Sequence, residues 1–255
     1  MHPQDTVYIS KPLLSYIYLW HTSSTNDYAT ENLATINGPN TDICIYTYNQ
    51  SAGRGQIGRK WFGDTDKNIA CSYVKHFKAL PIQKQFYLNM AYSLACHDLI
   101  SSYIKKPVHI KWPNDIYVNN KKIAGILIQN MLRADIVTSS IMGIGLNVNT
   151  LTFPADLPNP TSLSLECQQV FDLLEVLKAL SLCIQKRLSD FQTKLNDISE
   201  EYSSLMYRKN QPSKFIKEGQ LFSGVIKGVM PEGHLVVEVA GKDVHFGFRD
   251  IEYVI

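Results

Sequence analysis

The chain has 255 residues, 45% of them apolar, with 25 Lys or Arg against 23 Asp or Glu and a net charge of +2. That composition excludes a disordered chain, and the near balance of charge excludes a protein that gathers nucleic acid by global attraction. No apolar run reaches the ~18 residues of a membrane span, and the opening "MHPQDTVYIS" lacks the basic stretch and apolar core of a signal peptide.

Residues 13–20, "LLSYIYLW", are rich in branched and aromatic side chains and read as a strand. "SSTNDYATENLATIN" follows as a helix, with Ser24 as N-cap and Asp27 three residues on in a capping-box arrangement. Residues 42–48, "DICIYTY", form a second strand that feeds into "QSAGRGQIGRKWFG", residues 50–63, and "NIACSYVKHF" is a third strand. Pro81 opens a helix to about Tyr103, with Ile82, Phe86, Met90 and Leu94 in one apolar row at i, i+4 spacing.

"VHIKW", "DIYV", "KKIAGILIQ" and "DIVTSSIMGIGLNV" read as short strands separated by the turn signals Pro113-Asn114-Asp115 and Asn119-Asn120, close enough in sequence to pair antiparallel. "NTLTFPADLPNP", residues 149–160, carries three prolines and reads as a structureless functional loop. Residues 168–209 read as helical. From Pro212 on, short strands with glycine turns read as a small β-barrel, with a domain boundary near residue 210. The five cysteines show no Cys-x-x-Cys pair and no metal-ligand spacing with the seven histidines, which fits free buried thiols in a cytoplasmic protein.

The 50–63 stretch is the most informative. Gly53, Gly55 and Gly58 let backbone N–H groups approach one anion, and Arg54, Arg59 and Lys60 add donors suited to phosphate or carboxylate. No Gly-Lys-Ser/Thr follows and no helix begins there, so it is neither a Walker A loop nor a dinucleotide fingerprint. "KWPND" offers Lys111 for a phosphate, Trp112 as an aromatic wall, and Asn114 and Asp115 as oxygen-bearing groups, one of them a carboxylate for Mg²⁺. A solvated hairpin would account for the first motif alone, and a turn over a buried tryptophan for the second. Lys122 and Gly125 in "KKIAGIL" and the strand end "GIGLNVN" repeat the pattern, however. Four strand ends marked by glycine or lysine are hard to explain by packing.

In this order, Ser24-Thr25-Asn26, "GRGQIGRKW", "KWPND", "KKIAGIL" and "GIGLNVN", with small β strands after them, the chain resembles the biotin–protein ligases, also called biotin–[acetyl-CoA-carboxylase] ligases, from about residue 13 onward. The resemblance implies an α+β fold. Residues 1–210 would be a biotin- and ATP-binding catalytic domain, a mixed, mostly antiparallel sheet flanked by helices, related to class II aminoacyl-tRNA synthetases and lipoate ligases. Residues 211–255 would be an SH3-like β-barrel. The implied reaction has two steps. Biotin and ATP give biotinyl-5′-AMP and pyrophosphate, and a lysine of a biotin carboxyl carrier domain then takes the biotinyl group, releasing AMP.

Carried onto this sequence, the resemblance makes Arg54, Lys122, Asp115 and Lys111 the catalytic set. Arg54 would neutralise the carboxylate and α-phosphate, and Lys122 would donate to the same oxygens. Ser24, Thr25, Asn26 and Gln50 would bind the ureido ring, with Gly53, Gly55, Gln56 and Gly125 along the rest of biotin. Arg59, Lys60, Lys111, Asn114 and Asn147 would serve ATP, Trp61 would pack on the adenine, and Asp115 would hold Mg²⁺. ATP and Mg²⁺ are thus the expected cofactors. The expected partner is a carrier domain, with neither DNA nor membrane, for a monomer or weak homodimer.

Two departures stand out. Many bifunctional members carry a helix-turn-helix domain before the catalytic one, whereas about twelve residues precede the first strand here, so operator binding is not expected. Gln56 stands where the best-known members have a second arginine. The rivals are lipoate ligation or octanoyl transfer on the same fold, whose members lack the Gly-Arg-Gly loop and "KWPND", and a non-enzymatic nucleic-acid binder, whose interleaved basic and aromatic stripe is missing from the C-terminal strands.

Overall fold

Side chains alternate between two apolar clusters along the central strands, so the sheet they form is covered on both faces. The computed structural model describes residues 8–11, 14–36, 41–56, 58, 60–189 and 191–255; Leu13, Arg59 and the last residue of the expected first helix lie outside them. Eight strands build the main sheet: β1 (Tyr8–Lys11), β2 (Leu14–Tyr18), β3 (Asp42–Thr47), β4 (Ile69–Pro81), β5 (Val108–Lys111), β6 (Asp115–Val118), β7 (Lys121–Arg133) and β8 (Ile136–Leu146), in the order β1-β2-β3-β4-β8-β7-β6-β5. Neighbours pair antiparallel except β2 with β3, which are parallel and joined through helix α1 (Thr25–Glu31). The mixed, mostly antiparallel sheet is therefore as expected, with β1 added at its edge.

On one face Ile17, Leu19, Ile43, Ile45, Val74 and Ile141 cluster with Ala29 of α1. On the other, Cys44, Tyr73, Met142 and Ile144 face the long helix α2 (Gln85–Tyr103). The i, i+4 row understated α2. Leu88, Ala91, Tyr92, Ala95, Cys96 and Leu99 are buried as well, because the helix lies between the sheet and two further helices, α4 (Leu173–Leu188) and α5 (Leu195–Ser204). Arg187 ties the three together, reaching Asp98 of α2 at 2.6 and 2.7 Å and Glu201 of α5 at 2.5 and 2.7 Å. Among the described residues no helix is long and apolar enough to cross a membrane.

Several boundaries differ from the sequence reading. Pro81 ends β4 in an extended conformation, and one 3-10 turn, Ile82–Lys84, precedes α2. The helical stretch of 168–209 is two helices, broken where buried Phe191 anchors a short 3-10 turn. A short helix α3 (Leu163–Cys167) comes just before them, and Gln168 ends it with a φ of 58°.

The C-terminal strands are β9 (Pro212–Lys217), β10 (Gln220–Val229), β11 (Leu235–Val239), β12 (Lys242–Phe246) and β13 (Glu252–Tyr253), in the order β12-β11-β10-β9-β13. The expected closed barrel is thus an open five-stranded sheet. Its last strand pairs with β9 at Glu252 and Tyr253, with Val254 N donating to Lys214 O at 3.0 Å, and among the described residues no ladder joins β13 to β12. Phe215, Ile226, Leu235, Val237 and Phe246 of this sheet belong to the same core as Phe86 and Trp112.

At that junction Trp112 Nε1 donates to Gly233 O at 3.0 Å, and its ring packs 5.4 Å from Phe248. Gly233 has a φ of +100°, and a Cβ there would stand 2.7 Å from Phe86 Cδ2. Gly233→Ala combines backbone strain with overpacking and is expected to destabilise the fold by about 2–3 kcal/mol. Urea unfolding would show this as a lower midpoint at unchanged slope. An unchanged midpoint would show that the junction does not couple the two sheets.

Candidate active site

The floor of the site is made where two glycines meet. β7 and β8 pair with Gly125 directly opposite Gly145 and Leu127 opposite Gly143. Bare backbone there lets other groups lie flat on the sheet. The Trp61 indole does so: a Cβ on Gly125 would stand 3.0 Å from Trp61 Cζ3, and one on Gly145 would overlap Trp61 Cε2 and Nε1. A Cβ on Gly143 would overlap the side-chain amide of Asn26.

Lys122 reaches this floor because β7 is irregular. Ile116 pairs with Ala124 but Tyr117 pairs with Lys122, leaving Ile123 as one extra residue on β7. Ile123 and Ala124 are both buried in the core, and Lys122 turns to the face of Gly125, with its Nζ 3.2 Å from that glycine's Cβ position. Lys122 Nζ lies 2.7 Å from Asp115 Oδ1 and 5.5 Å from the Trp61 ring centre.

The run expected to be structureless braces this lysine. Lys122 N donates to Asn159 O at 2.7 Å, and Thr161 N donates to Lys122 O at 2.9 Å. Thr161 in turn donates through its hydroxyl to Glu166 at 2.6 Å, and Glu166 pairs with Lys106 at 2.7 Å. Burial pushes the Glu166 carboxyl up, but the hydrogen bonds from Lys106 and Thr161 outweigh it and hold the group below its ordinary range.

A polar corner adjoins the other end of the floor. Ser24 caps α1 by accepting from Asp27 N at 3.3 Å, and Thr25 N donates to Gln50 Oε1 at 2.9 Å. Ser72 Oγ lies 2.8 Å from Thr25 Oγ1 and 2.5 Å from Asn26 Oδ1, and Asn26 Nδ2 donates to Leu127 O at 3.2 Å. Ser24, Thr25, Asn26 and Ser72 are all buried. Ser72 was missed in the sequence. Its signal was a hydroxyl facing the same side as Ala70 and Val74 in the otherwise apolar run from Ile69 to Val74.

The glycine-rich loop folds as a hairpin over the floor. Arg54 bridges Lys60, and Trp61 N donates to Gly53 O at 2.9 Å. Gly53 is needed there, since a Cβ would stand 2.8 Å from both Gln50 Nε2 and Trp61 O. Gly55 and Gln56 are partly buried in the hairpin, Lys60 is exposed, and Arg54 Nη2 pairs with Asp27 Oδ2 at 2.8 Å.

"KWPND" divides its side chains between two directions. Asp115 faces Lys122, whereas buried Trp112 packs toward the C-terminal sheet and so is not the aromatic wall of this floor. Lys111 Nζ lies 4.7 Å from the Tyr253 ring centre and 5.5 Å from that of Tyr117. Asn114 and Asn147 are buried frame elements: Asn114 Nδ2 donates to Ile126 O, and Asn147 Nδ2 donates to Thr161 O at 3.0 Å. Tyr202 OH donates to Pro113 O at 2.9 Å, which fixes the turn from α5.

The structure therefore brings Lys122, Asp115, Gly125 and Trp61 together, with Ser24, Thr25, Asn26 and Gln50 adjoining through Gly143. Among the described residues no group of three or more His, Cys, Asp or Glu side chains could hold a metal ion. An open groove of about 430 Å³ lies elsewhere, lined by Ser199 and Ser203 of α5, Lys209 of the segment that follows it, and Lys227 of the second sheet.

Residues 18–147 match the Biotin/lipoate A/B protein ligase family. The "Bifunctional ligase/repressor BirA" of Bacillus spizizenii is 36% identical over 174 residues, covering 67% of this chain and 53% of its own length. The chain thus spans about half the length of that relative. The "Biotin--[acetyl-CoA-carboxylase] ligase" of Mycobacterium tuberculosis is 25% identical over 217 residues, covering 83% of this chain and 79% of its own. The solved structure of a biotin protein ligase from Aquifex aeolicus in complex with biotin and ATP superposes with a TM-score of 0.75 at 23% identity, covering 95% of this chain and 98% of the other. At that identity the likeness bears on the fold.

Gly145→Ala places a methyl group where Trp61 lies, and is expected to expel the indole from the floor. Tryptophan emission should shift to the red and become easier to quench with acrylamide. Emission and quenching identical to the parent would show that Trp61 does not rest there in solution.

Proposed function

The chain belongs to the Biotin/lipoate A/B protein ligase family, and from that premise we propose that it is an ATP-dependent biotin–protein ligase. One observation carries the reading: a polar corner, a bare glycine floor and a lysine lie in sequence along β7, at Leu127, Gly125 and Lys122. Biotin has the same order of parts, a ureido ring with donors and an acceptor, an apolar chain and a carboxylate.

In this reading Thr25, Asn26, Gln50 and Ser24 receive the ureido ring, with Ser72 orienting Thr25 and Asn26. The apolar chain lies over Gly125, under Gly53, Gly55 and Gln56 of the hairpin, once Trp61 has moved off. Its carboxylate ends beside Lys122 and Arg54. Lys111, opposite Asp115 in the β5–β6 pair, takes triphosphate oxygens together with Arg59 and Lys60. Trp61 covers the adenine, while Asn114 and Asn147 hold the backbone that frames the nucleotide. These are the roles of residues 1–210, and residues 211–255 form a second domain that braces Trp112.

In the first step a carboxylate oxygen attacks the α-phosphorus. A P–O bond forms, the bond to the β-phosphate breaks, and pyrophosphate leaves. Both reactants are anions, so the chain's task is to hold them in line and neutralise them, which Arg54 and Lys122 do from two sides. In the second step a carrier lysine amine attacks the acyl carbon, the C–N bond forms, the bond from that carbon to the phosphate oxygen breaks, and AMP departs as the amine gives up a proton to solvent. Asp115 accepts a hydrogen bond from the incoming amine. Asp115, the carboxylate beside Lys122, would hold Mg²⁺, an ion for which one or two protein carboxylates suffice. When bound, that ion supplies charge neutralisation at the triphosphate.

The test is exchange of labelled pyrophosphate into ATP by the purified protein, which should require biotin; exchange without biotin, or none with it, would overturn the reading. Lys122→Ala should lower that exchange by about two orders of magnitude, the effect of losing ~3 kcal/mol of transition-state stabilisation. A variant within a few-fold of the parent would remove Lys122 from the chemistry. Gln56 keeps a donor and an acceptor but lacks the charge and fork of arginine. Gln56→Arg is therefore expected to slow release of biotinyl-AMP about tenfold, one charged hydrogen bond of roughly 1–2 kcal/mol. Equal dissociation rates in stopped flow would show that Gln56 does not face the adenylate.

A further inference from the structure

Three tyrosines meet at the ends of β2 and β3, on the face of the sheet that packs toward α2. The glycine floor lies on the opposite face, with α1. Tyr18 pairs with Tyr46 across the two parallel strands, and Tyr48, two residues on, turns to the same side. Their ring centres stand 5.2, 5.8 and 5.7 Å apart, with the rings tilted by 42°, 46° and 61° rather than stacked. With Asp172, the N-cap of α4, and Leu173 and Leu174 of its first turn, they line an open pocket of about 380 Å³. That is room for a small molecule.

The charge of the pocket has one sign. Asp172 Oδ1 accepts from Leu174 N at 2.8 Å and from Glu175 N at 3.0 Å, whereas Oδ2 has no hydrogen-bond partner among the described residues. The helix terminus is thus already served, and its carboxylate repels a second anion. No residue lining the pocket is cationic. Lys67, beside Asp66, and Lys178, in the second turn of α4, pair with other carboxylates, Asp64 at 3.1 Å and Glu175 at 2.7 Å. Burial, then the neighbouring tyrosines and Asp172, push the Tyr48 hydroxyl up, and burial followed by Asp66 does the same to Tyr18. The phenols therefore stay neutral at physiological pH.

We propose that this pocket binds a small organic cation, an alkylated ammonium seated over the three rings with its charge against Asp172 Oδ2. An aromatic face carries the negative end of the ring quadrupole, and a cation within ~6 Å of a ring centre is drawn to it. Rings this close together let one cation meet all three. The alkyl groups match the leucines and ring carbons, and an alkylated ammonium gives up less hydration on leaving water than a primary one, which needs hydrogen-bond partners the pocket lacks. The proposal does not depend on the ligase reading.

NMR of the full chain with isotope-labelled tyrosine tests it. Choline chloride should shift the ring signals of Tyr18, Tyr46 and Tyr48 saturably, against sodium chloride at equal ionic strength. Dimethylbutanol, the neutral carbon isostere of choline, and ethanolamine, its unmethylated form, should each bind about tenfold more weakly. Asp172→Asn keeps a capping oxygen and removes the charge, and should weaken choline about fivefold, the size of a partly exposed charge pair. Tyr18→Leu keeps apolar bulk without the ring face and should weaken it by about as much.

No saturable shift with choline would overturn the proposal, and so would dimethylbutanol binding equally well, which would leave only an apolar pocket. Ethanolamine binding as tightly as choline would overturn the alkylated class and point to an ammonium like that of lysine. Unchanged choline affinity in an Asp172→Asn variant that melts like the parent would remove the carboxylate from the site.

Discussion

One extra residue in β7 sets the geometry on which the site depends. Lys122 and Gly125 are three positions apart, so a regular strand would turn them to opposite faces of the sheet. Lysine would then point into the apolar core between sheet and α2, where an ammonium without a partner is costly. The irregularity at Ile123 buries two consecutive apolar residues instead and delivers the charge beside the glycine floor. Asp115 from β6 and the Asn159–Thr161 backbone then hold the lysine from both sides. Without that bulge Lys122 would not reach the face of Gly125.

Under the proposed function, a site for two anionic reactants also has to be stable before they arrive. Here its cations rest on carboxylates of the chain, Lys122 on Asp115 and Arg54 on Asp27, and its apolar floor rests under Trp61. On that reading each ligand group replaces a side chain already present. The polar corner is the exception: Thr25 and Asn26 on α1 and Ser72 on β4 are fixed by the core on that face, and Gln50 joins them through its bond from Thr25 N.

Local chemistry made much of this legible in the sequence. Ser24 declared itself as a cap, the strands by their branched and aromatic residues, and Gly125 and the strand end "GIGLNVN" by their glycines. What approaches them was not legible, because Trp61 and Asn26 arrive from distant segments. The bulge was hidden because "KKIAGILIQ" suits a strand of either register. Trp112 was misread as a ligand wall for a similar reason. Its neighbours Gly233 and Phe248 lie far along the chain, and whether the second sheet closes on itself depends on pairing that composition does not encode.

The most direct measurement is the intact mass of a biotin carboxyl carrier domain after incubation with the protein, ATP, and equal concentrations of biotin and lipoate. An ATP-dependent gain equal to one biotinyl amide, on a single lysine, is the expected result. A lipoyl adduct, or a carrier left unmodified while the protein remains folded, would contradict the assignment of this site to biotin.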